Sequence, residues 1–378
     1  MSTEKTKEEL REASLKLESK EFAKDLPGII RGLDTVRAGG PNKPTVEISL
    51  AEFLTEKYGL TQDEYIKKLG FNSKVSTMQN ILSMPDTDYR WIIPEIIRDA
   101  IQLGIKDAPF YPTLIAGDQS VNGLSITMPY VNPSDAAPAK VNEAETIPLG
   151  QISYGQKTVK IYKIGKGIKI SDEVKNYVAL DVLGIYFRDF GIQLGFAMDN
   201  LAIDCLVNGN KADGSEASGI IGVGSTSTGL TYKDLLKLWI RGSRFGRNFR
   251  TMVSGEDMAL NLLDLDEFKK RESGTTLARL NLKTQIPSSS DLYIHGGVDE
   301  DSILFVDPTS AMIKLTAQNL MLESERIVSN QTSAMYASLT TGFSKMFMDA
   351  SILMDKTVAF TSFPSYFDLD SFKSVNLE

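Results

Sequence analysis

The chain is poor in the side chains on which most chemistry depends. It has one cysteine and one histidine in 378 residues. A single cysteine excludes an intrachain disulfide and a cysteine-based zinc site. A single histidine makes any His-based triad depend on His295, in the strand-like run YIHGG. Basic residues are also short: 41 Lys and Arg stand against 49 Asp and Glu, a net charge of -8. That is the wrong balance for a protein whose main task is to grip nucleic acid backbones. No uninterrupted run reaches the ~20 apolar residues of a membrane span. The N-terminus, MSTEKTKEELREASLKLESKEF, lacks the apolar core of a signal peptide. The expectation is a protein made and folded in a reducing cytoplasm, with no membrane partner.

What the chain does have is one very long helical stretch. Ser171 to Gly209 reads as a single helix roughly 50 Å long, with Ser171 as N-cap and Asp172 and Glu173 on the positive end of its dipole. An apolar stripe runs Leu183, Phe187, Phe190, Leu194, Met198, Leu201, Cys205, at steps of four and three. Gly184, Gly191 and Gly195 interrupt it. Each costs about 1 kcal/mol relative to alanine, so either the helix breaks near Gly191 or another backbone approaches there.

Before this helix, residues 1–25 are a charged helical segment, 27–45 a Gly- and Pro-rich linker, and 49–71 two short amphipathic helices. The second opens with Thr61 and Glu64 in capping-box spacing. Residues 89–106 form another amphipathic helix, with Pro94 in its first turn. GLSITMPYV and QISYGQKTVKIYKIGKGIKIS alternate as strands and make a two-stranded ribbon. Its tip, 132–150, is polar and proline-punctuated. A ribbon with so little core of its own needs a surface to lie on, and a neighbouring subunit is expected to supply it. After the helix, 213–229 reads as a Gly/Ser-rich connector. It is followed by helices at 231–244 and 256–271, a strand FRTMVSG, two strands joined by an acidic turn in DLYIHGGVDEDSILFVDP, and a strand-rich segment 311–360. The class is α+β.

Catalytic chemistry finds little to hold. Gly219, Gly222 and Gly224 lack the Lys of a phosphate loop. Cys205 lies on the apolar stripe as a small hydrophobe. Asp299, Glu300 and Asp301 read as a solvated turn rather than a cation site. No catalytic, cofactor or metal site is expected.

The order of ribbon, spine helix ending in the step Asp204 to Gly209, Gly-rich connector DCLVNGNKADGSEASGIIG and mixed α/β region resembles the HK97-fold major capsid protein of tailed bacteriophages. The resemblance covers roughly residues 90–360. It implies an N-terminal helical extension over 1–88, an N-arm over 89–124 and an E-loop over 125–170. A P domain would hold 171–229 and 306–345, and an A domain 230–305 and 346–378. It implies a structural protein, not an enzyme, that self-assembles into hexamers and pentamers of an icosahedral shell around double-stranded DNA. Portal, scaffold or decoration proteins would be its partners, DNA contact would be non-specific, and the virion its location after assembly in the host cytoplasm. Inter-subunit contacts would fall on Trp91, Pro138, Lys140, Glu143, Glu145, Lys157 and Asn330, with Lys140 or Lys157 and Asn330 as candidates for a crosslink. The alternatives are an encapsulin-like cargo shell and a soluble enzyme with a glycine-rich site at 213–229.

Overall fold

The computed structural model describes residues 50–59, 76–82, 92–107, 109–131, 152–210, 216–227, 229–265 and 291–364, with 61, 64, 66, 67, 141 and 143. Contacts divide the chain into two compact units. The first comprises Met1–Pro109, Lys163–Ala197 and Gln318–Thr340; the second comprises Phe110–Tyr162, Met198–Ala317 and Thr341–Glu378. Helices and strands are interspersed, so the class is α+β as expected.

In the first unit, helices α1 (Leu50–Tyr58), α2 (Met78–Leu82), α3 (Ile92–Asp107), α4 (Asp172–Tyr177) and the first part of α5 (Leu180–Asn208) pack on strands. Those strands are β4 (Tyr162–Ser171) and the adjoining parts of β9 (Met312–Ile327) and β10 (Thr332–Lys345). The core joins Leu54, Ile81, Ile97 and Ile101 to Leu183, Phe187, Phe190 and Leu194, with Leu320 and Ala337 beneath them. Buried Asp99 accepts the backbone N–H of Leu50 at 2.8 Å, which satisfies one of the orphan donors at the start of α1. The expected capping box is present: Thr61 N–H donates to Glu64 at 3.0 Å, and Glu64 N–H to the Thr61 hydroxyl at 3.4 Å.

The expected single helix over 171–209 is two. Ser171 caps α4, accepting the N–H of Val174 at 3.4 Å. The chain then leaves helical geometry at Val178, with φ -97° and ψ 131°. Ala179 forms a β-bridge with Thr77, and Leu180 N–H donates to the Ser76 carbonyl at 3.1 Å. Segment 76–82, distant in sequence, sets the break. Helix α5 then runs unbroken through Gly191. A Cβ at Gly191 would collide with the backbone of Ile101, and one at Gly104 with the Arg188 carbonyl. Two glycines thus let α3 and α5 cross backbone to backbone, and close approach is the reading that holds.

The second unit is built on a five-stranded sheet in the order β5 (Gly219–Val223), β11 (Ser351–Ala359), β8 (Ser302–Val306), β6 (Thr251–Ser254), β7 (Asp291–Ile294). β6 and β8 are buried along their whole length, and near-continuous apolar strands of this kind need cover on both faces. Helices α6 (Tyr232–Arg244) and α7 (Glu256–Leu263) supply Leu235, Leu238, Met258 and Leu262 to this core. DLYIHGGVDEDSILFVDP forms the two expected strands joined by a turn, and they lie on either side of β6, which is parallel to β7 and antiparallel to β8. One sequence expectation is corrected. The Gly-rich segment is not all connector, since Gly219–Val223 is an edge strand parallel to β11.

β2 (Ser125–Val131) and β3 (Ile152–Lys160) pair antiparallel, from Ser125 opposite Lys160 to Val131 opposite Ile152. The ribbon does find a surface on its own chain at its base. There Met128, Val159 and Ile161 pack with Val121 and with Leu315 of β9. A further sheet has the order β1 (Ile115–Ser120), β9, β10, β4.

Candidate functional site

Helix α5 is apolar on two faces. Within the first unit, the side turned to the core carries Leu183, Phe187, Phe190 and Leu194. Met198 and Cys205 continue the stripe as buried residues, while Leu201 is half-buried. The face pointing away is the one the sequence reading missed. Val182, Ile185, Tyr186 and Phe196 all lie on it and are all exposed, Ile185 to 69 %. Asp189 and Gln193 complete the strip, joined by a hydrogen bond of 2.7 Å from the Gln193 amide to the Asp189 carboxylate. Tyr177, at the end of α4, is 82 % exposed. Scattered exposed hydrophobics are ordinary, but a strip of several on one helix face marks a contact surface. Its signal was present in the spacing of positions 182, 185, 186 and 196, which a search for one core stripe passes over.

Counting uninterrupted apolar runs also missed that α5 is long and apolar enough to cross a membrane by length and composition. Just over half of its most apolar stretch, 56 %, is buried inside the protein. Core helices acquire such composition by packing.

The expected contact residues divide as follows. Trp91, Pro138, Lys140 and Glu145 lie outside the described residues. Glu143 is exposed at a turn, and Lys157 is in β3 opposite Met128. Both belong to the second unit, and Asn330 to the first. Asn330 is exposed in the turn Val328–Asn330 that joins β9 to β10. This tip is held from below. Asp172 N–H donates to the Gln331 carbonyl at 3.0 Å, and the Asp172 carboxylate pairs with Arg326 at 3.1 Å and Lys175 at 3.1 Å. Gln331 has φ 50°, a left-handed conformation that costs a non-glycine residue energy.

The groups that would suggest catalysis are accounted for structurally. Burial lowers the His295 pKa, and its Nδ1 accepts the Gly297 N–H at 2.9 Å. Lys345, 2 % exposed, donates to the carbonyls of Leu206 and Glu216 at 3.2 Å and to the Ser218 hydroxyl at 2.9 Å. The amine is taken up by three acceptors of the protein itself, and the Ser218 hydroxyl donates to the Leu206 carbonyl at 2.7 Å, so both groups are engaged in holding the chain together rather than in a catalytic dyad. In the Gly-rich segment, the Gly224 N–H that a phosphate would need donates to Asp234 at 3.2 Å. Burial raises the Asp234 pKa, but hydrogen bonds from Thr231, Lys237 and Gly224 bring it below the usual carboxylate value. A fixed negative charge therefore sits at the start of α6, and repels a phosphate there. Among the described residues no three His, Cys, Asp or Glu side chains converge on a metal position. A cavity of about 70 Å³ beside Cys205, Asn210 and Phe343 is far below the ~300–1,000 Å³ of ligand pockets.

No protein-family model and no curated protein matches the chain. Among solved structures, the chain is similar to particle and capsid proteins. One is the virus-like particle from Pyrococcus furiosus, with 11% identity, a TM-score of 0.46, and coverage of 68% of this chain and 97% of that one. Another is the capsid of the native GTA particle, at 13% identity and a TM-score of 0.48, covering 65% of this chain and 88% of that one. A third is the mature capsid of bacteriophage PhiM1, at 10% identity and a TM-score of 0.46, covering 65% of this chain and 86% of that one.

Proposed function

We propose that this chain is a structural shell subunit, a major capsid protein of the HK97 type. It forms hexameric and pentameric capsomers of an icosahedral head shell around the double-stranded DNA of a tailed phage. The observation that carries the reading is the exposed apolar strip of α5, Val182, Ile185, Tyr186 and Phe196. Leaving such a strip in water forgoes roughly 25 cal/mol for every Å² that a neighbour would cover, and repetition of one contact around a closed shell uses it in every copy. The role is structural, and the catalytic arrangements described above are occupied by the protein's own hydrogen bonds.

In this reading residues 1–88 are the N-terminal extension, 89–124 the N-arm and 125–170 the E-loop. The P domain takes 171–229 and 306–345, and the A domain 230–305 and 346–378. The net charge of -8 suits a lining that encloses DNA without gripping it. The subunit is assembled in the host cytoplasm and resides in the virion. Electron microscopy of the purified full chain tests the proposal. Closed shells or ring-shaped capsomers are the expected result; small discrete oligomers that do not grow with concentration would overturn it.

A further inference from the structure

The strip on α5 carries one charge, Asp189, amid apolar side chains. Laying the same strip of a second copy against it along a two-fold axis would bring Asp189 toward Asp189 inside an apolar contact, where like charges repel strongly. The mate must therefore be a different surface, with positive charge beside an apolar or aromatic group.

The first unit carries one. On β4, Ile164, Ile168 and Ile170 point into the core, so alternation puts Lys163 and Lys169 on the opposite, outer face. Both lysines are exposed, and neither has an ion-pair partner among the described residues. Between them, the Tyr336 ring of β10 lies against Gly167, at a position that a Cβ would fill, and is 41 % exposed. From Lys163 to Lys169 the strand spans ~20 Å, and from Val182 to Phe196 the helix spans ~21 Å. Glu323 and Glu325, on the β9 part of the same sheet, are exposed acids. They repel Asp189 and confine the match to the β4 side.

We infer, building on the shell reading, that the α5 strip of one copy is covered by the β4 side of the sheet of the next copy, with Asp189 meeting Lys163 and Lys169 around Tyr336. Because the two surfaces differ, the contact is heterologous. It leaves a free strip and a free sheet face on each added copy, as rings and shells require and a two-fold dimer does not.

Sedimentation velocity on the full chain, with circular dichroism as the folding control, tests this. All three altered residues are exposed, so Asp189→Lys and the double variant Lys163→Glu/Lys169→Glu are expected to fold as the wild type does. Each is expected to weaken assembly at least tenfold in concentration. The triple variant, with all three charges reversed, is expected to assemble again. An equal mixture of the Asp189→Lys and Lys163→Glu/Lys169→Glu proteins is expected to associate again, as even-membered rings in which the two alternate. If wild type forms shells and both charge variants do so equally well, or if the triple variant and the mixture stay dissociated, the inference fails while the shell reading stands. If wild type itself forms no shells or capsomers, the shell reading fails first. Tyr186→Ser, which changes no charge, is expected to weaken assembly without rescue by any sheet variant; unchanged assembly in this variant would also count against the contact.

Discussion

Two parts of the second unit are built from strands and behave oppositely. The five-stranded sheet buries β6 and β8 end to end and closes over a core that includes Met252, Ile303, Phe305 and Ile352. Among its described side chains, the β2–β3 ribbon contributes Met128 and Val159 to a small cluster with Ile161, Val121 and Leu315. The other end of the ribbon leads into 132–150, a polar, proline-punctuated sequence in which Val141, Ile147 and Leu149 are the only large apolar residues. The sheet is stabilised by what the chain itself supplies. The tip sequence offers far less apolar material, so the expectation is that folding and assembly can be separated by mutation there.

The sharpest way to break this comparison is from the sheet side. Ile303 is fully buried in β8, and Ile303→Ala is expected to cost roughly 2–5 kcal/mol, the range for deleting a large aliphatic group from a packed core. Chemical denaturation would measure it; a loss below about 1 kcal/mol would show that the sheet is not the stable half of the pair.

A smaller effect is expected from Asp199 of α5, which is fully buried and accepts the N–H groups of Tyr111 at 2.8 Å and Phe110 at 3.4 Å. Phe110 in turn stacks on Tyr293 of β7, with ring centroids 4.8 Å apart. Burial pushes the Asp199 pKa up to about 6, against the pull of the two N–H donors. A carboxyl whose folded pKa lies above its unfolded value contributes its full stability below the unfolded value, near 3.8, and loses it as pH rises through about 6. Between pH 5 and 7.5 the wild type should lose about 1.4 kcal/mol relative to Asp199→Asn. Parallel unfolding curves for the two proteins would remove Asp199 from the account.

The smallest effect belongs to the ribbon. Replacing 132–150 by a short Gly-Ser turn is expected to change the stability of the isolated subunit by less than about 0.5 kcal/mol, as for surface changes in general. In the shell reading the same variant should fail to form closed shells. Thermal unfolding together with sedimentation decides it: normal shells would make the tip dispensable, and a collapsed melting transition would mean that it packs at home.

Local patterns were legible and long-range ones were not. The Leu183–Leu194 stripe, the Ser171 cap, the Thr61–Glu64 box and the alternation of β4 follow from periodicity and capping, which neighbouring residues determine. The apolar alternation shifts from odd positions at Val159 and Ile161 to even ones at Ile164, Ile168 and Ile170, and Ile161 is the residue that separates β3 from β4. The break at Val178 was not legible, because a bridge from Thr77 imposes it. Neither was the placement of β6 between β7 and β8, which depends on pairings formed in three dimensions. The glycines of α5 left two readings open until Ile101 was seen against Gly191. The exposed strip was missed for another reason: a second apolar face beside the core stripe is passed over by any test that looks for one.

Lys345 has a consequence beyond holding β10 to the end of α5 and the segment 216–218. Its amine is shut away from solvent and bonded to three groups of the protein itself, whereas Lys163 and Lys169 are exposed. A reagent that acylates amines will therefore tag those two at once, and reach Lys345 only when the second unit opens. Followed by mass spectrometry, the ratio of the slow tag to the fast ones is a built-in clock for opening of the subunit. It can be read in a free chain or in any assembly the chain forms, without introducing a probe.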